Sequence, residues 1–374
     1  MRAATCLGLT LGLATVRAQQ ATPTPYRTWS LPATFPPPTL PADSPLTDAR
    51  VALGRHLFYD TRLSGNGTQS CSTCHAQAHA FADTRAVGVG STGERHTRGS
   101  MSLVNVAYAE VLTWANPTLT SLEQQALVPM YGDHPVELGL SRSDDWLARL
   151  AADARYQRLF HDAFGRDGIT RDHTVEAIAA FERSIVSARS PYDRYHFDRD
   201  DSAIPAAAKR GEVLFHSRPL SCFQCHGGVN FSSAMPAVRQ PMARAPFHNT
   251  GLYNLAGAFS YPADDPGVYQ ITHDRADIGR FKPPTLRNIA VTAPYMHDGS
   301  VATLAEAIDH YAAGGRTIAS GPHQGIGRDN PNKDATLRGF SLTADQKADL
   351  VAFLESLTDD ELLRDSRFGN PWRQ

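Results

Sequence analysis

The pentapeptide CSTCH, residues 71–75, decides how this chain is built, and it recurs as CFQCH at residues 222–226. In each copy two cysteines flank two other residues, and a histidine follows at once. That spacing is the attachment signal for c-type haem, in which both sulfurs form thioether links to the porphyrin and the histidine takes the iron. It assigns Cys71, Cys74 and His75 to one haem and Cys222, Cys225 and His226 to a second. The competing reading is a zinc site assembled from the two CxxC pairs. The histidine after each pair favours haem, and so do signs of export at the N-terminus.

Those signs lie in MRAATCLGLTLGLATVRAQQ, which also holds the remaining cysteine, Cys6. Arg2, an apolar run from Cys6 to Val16, and Val16-Arg17-Ala18 together form the pattern of a cleavable signal peptide over residues 1–18. The run is too short to span a bilayer, so a periplasmic protein without a membrane span is expected. Its removal leaves no cysteine for a disulfide. The 374 residues, 41% hydrophobic and 20% charged, suit a soluble chain of about two domains. A net charge of −2 with no basic stripe argues against a nucleic-acid partner.

Residues 19–45 form a proline-rich arm or linker. Helical spacing then begins in LTDARVALGRHLFYD, from Leu46 to Phe58. LGRHLF (53–58) precedes CSTCH, and RGEVLF (210–215) precedes CFQCH, a weak internal repeat with six extra residues in the first copy. A helix leading twice into an attachment loop predicts a mainly α fold of two cytochrome-c-like units, residues 46–195 and 205–374, with 190–205 as linker. Further helices are expected within 144–164, 173–188 and 342–357. Thr343 caps the last, and Leu350, Val351, Leu354 and Leu357 form its buried face.

Beyond the attachment motifs, the chain resembles the bacterial di-haem cytochrome c peroxidase and MauG superfamily from about residue 46 to its end. The resemblance is carried by LGRHLFYDTRLSGNGTQSCSTCH, SLVNVAY (102–108), SLEQQALVPM (121–130), VELG (136–139), SPYDRY (190–195) and FKPPTLRNIAVTAPYMHDGSVATLAEAI (281–308). Within the superfamily, TWANPTLTSLEQQALVPMYGDHPVELG looks most like the di-haem enzymes of methanobactin gene clusters.

The resemblance implies a peroxide-reactive haem held by His75 and a second haem, held by His226, that stores or relays an oxidising equivalent. Glu137 matches the family's distal acid–base glutamate, Gln125 its glutamine partner, and Trp114 the tryptophan that bridges the haems. Carboxylates in such pockets acquire raised pKa values through desolvation, which suits a proton shuttle. Tyr311 matches the distal ligand of the second iron, with His310 and Met296 as competing candidates. In the loop AVGVGSTGERHTRGS (86–100), Ser91 stands where peroxidases carry a blocking histidine, so an open first iron is expected, with His96 the rival ligand. His79 reads as a surface or propionate-side residue. A calcium ion in the family uses backbone oxygens near Thr292 and Pro294 and an Asn side chain. Here the Asn position is Gly99, one ligand short for a metal that prefers six to eight.

Three functions follow from these expectations. The first is an oxidase that uses hydrogen peroxide to oxidise a partner protein, in the methanobactin-cluster relatives a tryptophan towards kynurenine. The second is a cytochrome c peroxidase fed by a small electron-donor cytochrome. The third is a di-haem electron carrier, which would leave Glu137 and Gln125 without a role.

Overall fold

The structure is a computed structural model that describes residues 29, 31–42, 44–140, 145–237, 247–257 and 259–373. The expected signal segment lies outside the described residues. The helices run α1 (Asp48–Phe58), α2 (Leu122–Tyr131), α3 (Asp145–Ala151), α4 (Ala154–Phe164), α5 (Arg171–Ser184), α6 (Pro191–Phe197), α7 (Ala206–Phe215), α8 (Leu304–Ala313), α9 (Ala344–Glu355) and α10 (Asp360–Arg364). Single helical turns lie between them. The sheet found among the described residues is one antiparallel pair, β1 (Thr317–Ile318) and β2 (Gly325–Ile326), with Thr317 opposite Ile326. The mainly α expectation therefore holds.

The internal repeat has a structural cause. α1 packs on α5, and α7 packs on α9. At each crossing the first helix presents a glycine. A Cβ on Gly54 would lie 1.8 Å from the Ala177 carbonyl oxygen, and one on Gly211 would lie 2.0 Å from that of Asp349. Both crossings bring backbone against backbone, which a side chain would prevent. Leu53, Leu57 and Phe58 are fully buried around the first crossing, and Ala208, Phe215 and Phe353 around the second. Full burial of each Leu or Phe contributes roughly 1.5–3 kcal/mol.

The repeat reaches further than its helices. Asn105 in LVNVA and Asn288 in LRNIA both adopt left-handed backbone, φ +59° and +61°, ahead of a 3-10 turn. Asn105 receives the Ser187 amide at 2.7 Å and donates to the Ser187 carbonyl at 3.1 Å. Asn288 donates to the Ser187 hydroxyl at 3.1 Å and accepts from the Asp359 amide at 2.7 Å. The Asp359 carboxylate accepts from the same hydroxyl at 3.0 Å. The two asparagines thus meet on one residue and join the two helix pairs through a buried polar network.

Two expectations need correction. The linker of residues 190–205 contains α6, closed by a capping box of Ser190 and Asp193. Asp193 is buried and forms two 2.9 Å bonds with Arg287. The N-terminal part of this stretch, with Ser190, Tyr192 and Asp193 buried, is therefore part of the core. The described part of the proline-rich arm also lies against the body. Phe35 is 3% exposed, stacks edge-on with Phe197 at 5.2 Å and lies under the Arg287 guanidinium. The helices expected within 144–164 are α3 and α4, parted because Asp153 accepts from the Arg155 amide at 2.8 Å and starts α4 afresh. The last expected helix begins at Thr343 as read, capped by that hydroxyl. Leu350, Leu354 and Leu357 are buried and Val351 is half-buried.

Candidate active site

Each attachment motif opens on its own cavity. Cys71, Cys74 and His75 line the first, with Gln125, Glu137, Trp114 and His96. Cys222, Cys225 and His226 line the second, with Tyr311, Met296, His248 and His297. Trp114, Lys282 and Pro284 line both.

The two motifs are held alike. The His75 Nδ1–H donates to the Phe81 carbonyl at 2.8 Å, and the His226 Nδ1–H to the Phe231 carbonyl at 3.2 Å. Phe81 and Phe231 reach those positions in left-handed backbone, φ +57° and +48°, a conformation that costs of order 1–3 kcal/mol in a bulky residue. Both phenylalanines are buried, so packing holds the turn that aims each carbonyl. Burial lowers the pKa of both histidines, that of His226 to about 4, so the imidazoles are neutral. A neutral imidazole with its Nδ1 occupied presents Nε2 to a metal.

These residues fit haem. Each cavity combines two free cysteines, an oriented neutral histidine and a largely apolar wall. They do not fit a zinc site shared by the pairs, because the pairs line different cavities. No cluster of three or more His, Cys, Asp or Glu that could hold a metal ion occurs among the described residues.

Gln125 and Glu137 reach the first cavity through an irregular helix end. Pro129 lies inside α2 and cannot donate to the Gln125 carbonyl four residues back. The VELG segment folds back onto that end, with Leu138 N donating to the Pro129 carbonyl at 2.9 Å and Leu140 N to that of Met130 at 2.8 Å. The 86–100 loop clamps the segment from the other side. Ser91 N donates to the Glu137 carbonyl at 2.7 Å, and the Glu94 carboxylate accepts from Val136 N at 2.7 Å. Burial pushes the Glu137 carboxyl up to about 7. Its Oε1 lies 3.8 Å from Nε2 of His96, whose own pKa is lowered by burial.

His96 is thus among the residues of that loop that line the cavity, with Gly88, Arg98 and Gly99, and Ser91 is not. Ser91 lies outside it, accepting from the Asn66 side chain at 2.7 Å through its carbonyl. Trp114 is fixed by its indole N–H, which donates to the Gly99 carbonyl at 2.7 Å, and by its own carbonyl, which accepts from Lys282 N at 2.8 Å.

In the second cavity Tyr311 and Met296 both line the wall, whereas His310 does not. Burial raises the Tyr311 phenol pKa. Thr292 and Pro294 line neither cavity, and His79 Nδ1 lies 3.3 Å from the Val291 carbonyl.

Sequence reasoning passed over four residues. Glu182 of α5 lines the first cavity, is buried, and has no hydrogen bond to its Oε2 among the described residues. Burial pushes its carboxyl up to about 8. Its cue was an acid seven, four and three residues after Val175, Ile178 and Ala179, on an otherwise apolar helix face. Lys282 is also buried and falls to about 8. For His248 burial alone would lower the pKa, but Asp334 at 2.6 Å raises it to about 9. His297 is buried against Phe281, ring centroids 3.6 Å apart, and falls to about 4.

Comparisons with known proteins agree with this geometry. A family model described as di-haem cytochrome c peroxidase matches residues 48–202. The chain is 35% identical over 346 residues to the cytochrome-c peroxidase IdrP1 of Denitromonas iodatirespirans, covering 88% of this chain and 86% of that one. The chain belongs to the di-haem cytochrome c peroxidase and MauG family. It is also 35% identical over 324 residues to the methylamine utilization protein MauG of Methylorubrum extorquens, covering 85% of this chain and 80% of that one. A solved MauG-like protein associated with microbial copper homeostasis superposes with a TM-score of 0.88 at 46% identity, covering 93% of this chain and all of the other. Family membership makes the protein a haem-dependent peroxidase or oxidase with c-type haem. Among the described residues no helix is long and apolar enough to cross a membrane.

Proposed function

We propose that this protein is an exported, periplasmic di-haem enzyme that reduces hydrogen peroxide in the His75 cavity and withdraws the two electrons from a partner protein. The observation that carries the reading is the convergence of His75, Gln125 and Glu137 on one cavity whose wall, at Trp114, is also the wall of the His226 cavity. Residues 46–195 and 205–374 form the two haem units, each haem linked through its CxxC sulfurs. The haem irons, when bound, supply the redox chemistry that cleaves peroxide and stores the oxidising equivalents.

The protein's own residues do the rest. Glu137, with a carboxyl titrating near neutral pH, takes a proton from one peroxide oxygen and returns it to the leaving oxygen. Gln125 donates a hydrogen bond that orients the peroxide. Trp114, fixed at both its indole N–H and its carbonyl, passes electrons between the cavities. Tyr311 is the oxygen ligand offered to the second iron. A phenolate there favours the oxidised metal, because an anionic ligand stabilises positive charge. Each peroxide takes two electrons and two protons from the partner and becomes two waters, and at each such two-electron step towards kynurenine the partner tryptophan takes its oxygen atom from solvent water. The copper-homeostasis protein's 46% identity supports the MauG-like over the peroxidase assignment.

The test is to incubate the holoprotein and a candidate partner with peroxide and follow both by mass spectrometry. Oxygen added to a partner tryptophan is the expected result. Turnover that only oxidises a small ferrocytochrome would sink the partner-oxidase reading.

A further inference from the structure

Two cavities that each receive a haem also receive its charge, because every haem carries two carboxylates. Four such groups have to be neutralised or solvated. The cations lining the first cavity are Arg98 and Lys282, and Lys282 is also the lysine lining the second. Arg98 is already committed, gripping Asp265 through two bonds of 2.6 and 2.9 Å. In the second cavity His248 is paired with Asp334 at 2.6 Å.

Lys282 differs from both. It is 6% exposed, and its Nζ donates to a single acceptor, the Val111 carbonyl, at 3.1 Å. No carboxylate among the described residues forms an ion pair with it. An ammonium has three donors, so two are left without a partner among the described residues. Burying an unpaired charge costs several kcal/mol unless an anion accompanies it. Nor is the site a loose surface position. Phe281 and His248 exchange two backbone hydrogen bonds, Lys282 N donates to the Trp114 carbonyl at 2.8 Å, and the Pro283 carbonyl accepts from Ser232 at 2.8 Å. The segment that carries Lys282 is fixed on both sides, as the wall between two cavities.

We propose that Lys282 binds a carboxylate of one of the two haems at the wall the cavities share. The ammonium and the haem carboxylate each supply what the other lacks on burial. Lys282 then acts as a positioning residue that also sets the potential of the haem it holds. The inference rests on the two-haem reading, which a pyridine haemochrome count on the wild-type holoprotein tests separately.

The experiment is a spectroelectrochemical titration of the holoprotein, its Lys282→Gln variant and its Lys282→Arg variant. Gln retains a donor for the Val111 carbonyl and removes the charge, whereas Arg keeps the charge. Loss of the cation leaves a bare carboxylate that favours ferric iron, so one haem of Lys282→Gln should become harder to reduce. A tenfold change in its ferric-to-ferrous ratio, 59 mV for one electron, is the expected scale. Lys282→Arg should hold both potentials near wild type. If Lys282→Gln accumulates without haem while Lys282→Arg loads normally, the requirement for charge is again supported. Unchanged potentials in both variants, or failure of both to load haem, would overturn the proposal. Lys282 would then serve the shape of the wall and the Val111 carbonyl alone.

Discussion

The Glu137 Oε1 atom lies 3.8 Å from Nε2 of His96, at the cavity that also holds His75. The carboxyl is pushed up to about 7 by burial, and the imidazole is lowered by the same cause. At neutral pH the acid is therefore divided between its two forms, beside an uncharged ring. That condition suits a group that must take a proton and give it back.

The pH dependence follows with a definite sign. Only ionised Glu137 can accept the first peroxide proton, so the bimolecular rate with peroxide should rise with pH through about 7 and level off above it. Glu137→Gln should lower the rate by a factor on the order of 10² to 10⁴, the usual contribution of a positioned acid–base group. It should also flatten the profile. Stopped-flow absorbance between pH 5 and 9 reads both effects, and a profile that survives in Glu137→Gln would assign the titration to another residue.

Trp114 is held at both cavities, by Gly99 through its indole and by Lys282 through its carbonyl. In Trp114→Phe, peroxide should still react with the haem of His75 at the wild-type rate. The optical change at the haem of His226 should lag behind it. Simultaneous changes at both haems in this variant would show that electrons cross the shared wall without the indole.

The Arg287–Asp193 pair is buried, with side chains 0% and 1% exposed, and joins α6 to the segment between the cavities. Arg287→Met leaves Asp193 as an uncompensated buried charge and should cost about 3–5 kcal/mol of stability. Guanidinium chloride unfolding of the holoprotein measures this as a lowered midpoint. A midpoint within experimental error of wild type would mean that the neighbourhood re-solvates the aspartate.

Glu182 gives a stability prediction of opposite character. Its carboxyl rises from 4.5 to about 8 through burial, so the folded protein keeps a proton that the unfolded chain releases across this range. The stability this group supports is present at low pH and is lost as pH rises from about 4.5 to 8. Glu182→Gln carries the neutral form permanently and should be more resistant than wild type at pH 8 but not at pH 4. Thermal unfolding at the two pH values checks it, and an equal change at both would contradict the shift.

What the sequence made legible was what local spacing carries. The helical stretch before each CxxCH copy and the Thr343 cap act within a few residues, and both appear as read. The α6 stretch was misread because SPYDRYHFDRDD is polar in composition, while its buried Asp193 pairs with Arg287, ninety-four residues away. Ser91 drew attention by its position in the loop. The chain instead turns at Gly90 and Gly93, hands the serine amide to Glu137 and brings His96 inward. Glu182 and Lys282 were missed for a common reason. A charged residue in a sequence reads as solvated until the packing that strips its water is seen.

The central claim is that one iron is open to peroxide and that the two haems share its oxidising equivalents. Electron paramagnetic resonance of the oxidised holoprotein, before and after one equivalent of peroxide, tests it most directly. The account predicts one high-spin ferric signal from the haem of His75 and one low-spin signal from that of His226, both lost together on adding peroxide. Two low-spin signals unmoved by peroxide would contradict it, and would mean that His96 blocks the first iron in the resting enzyme.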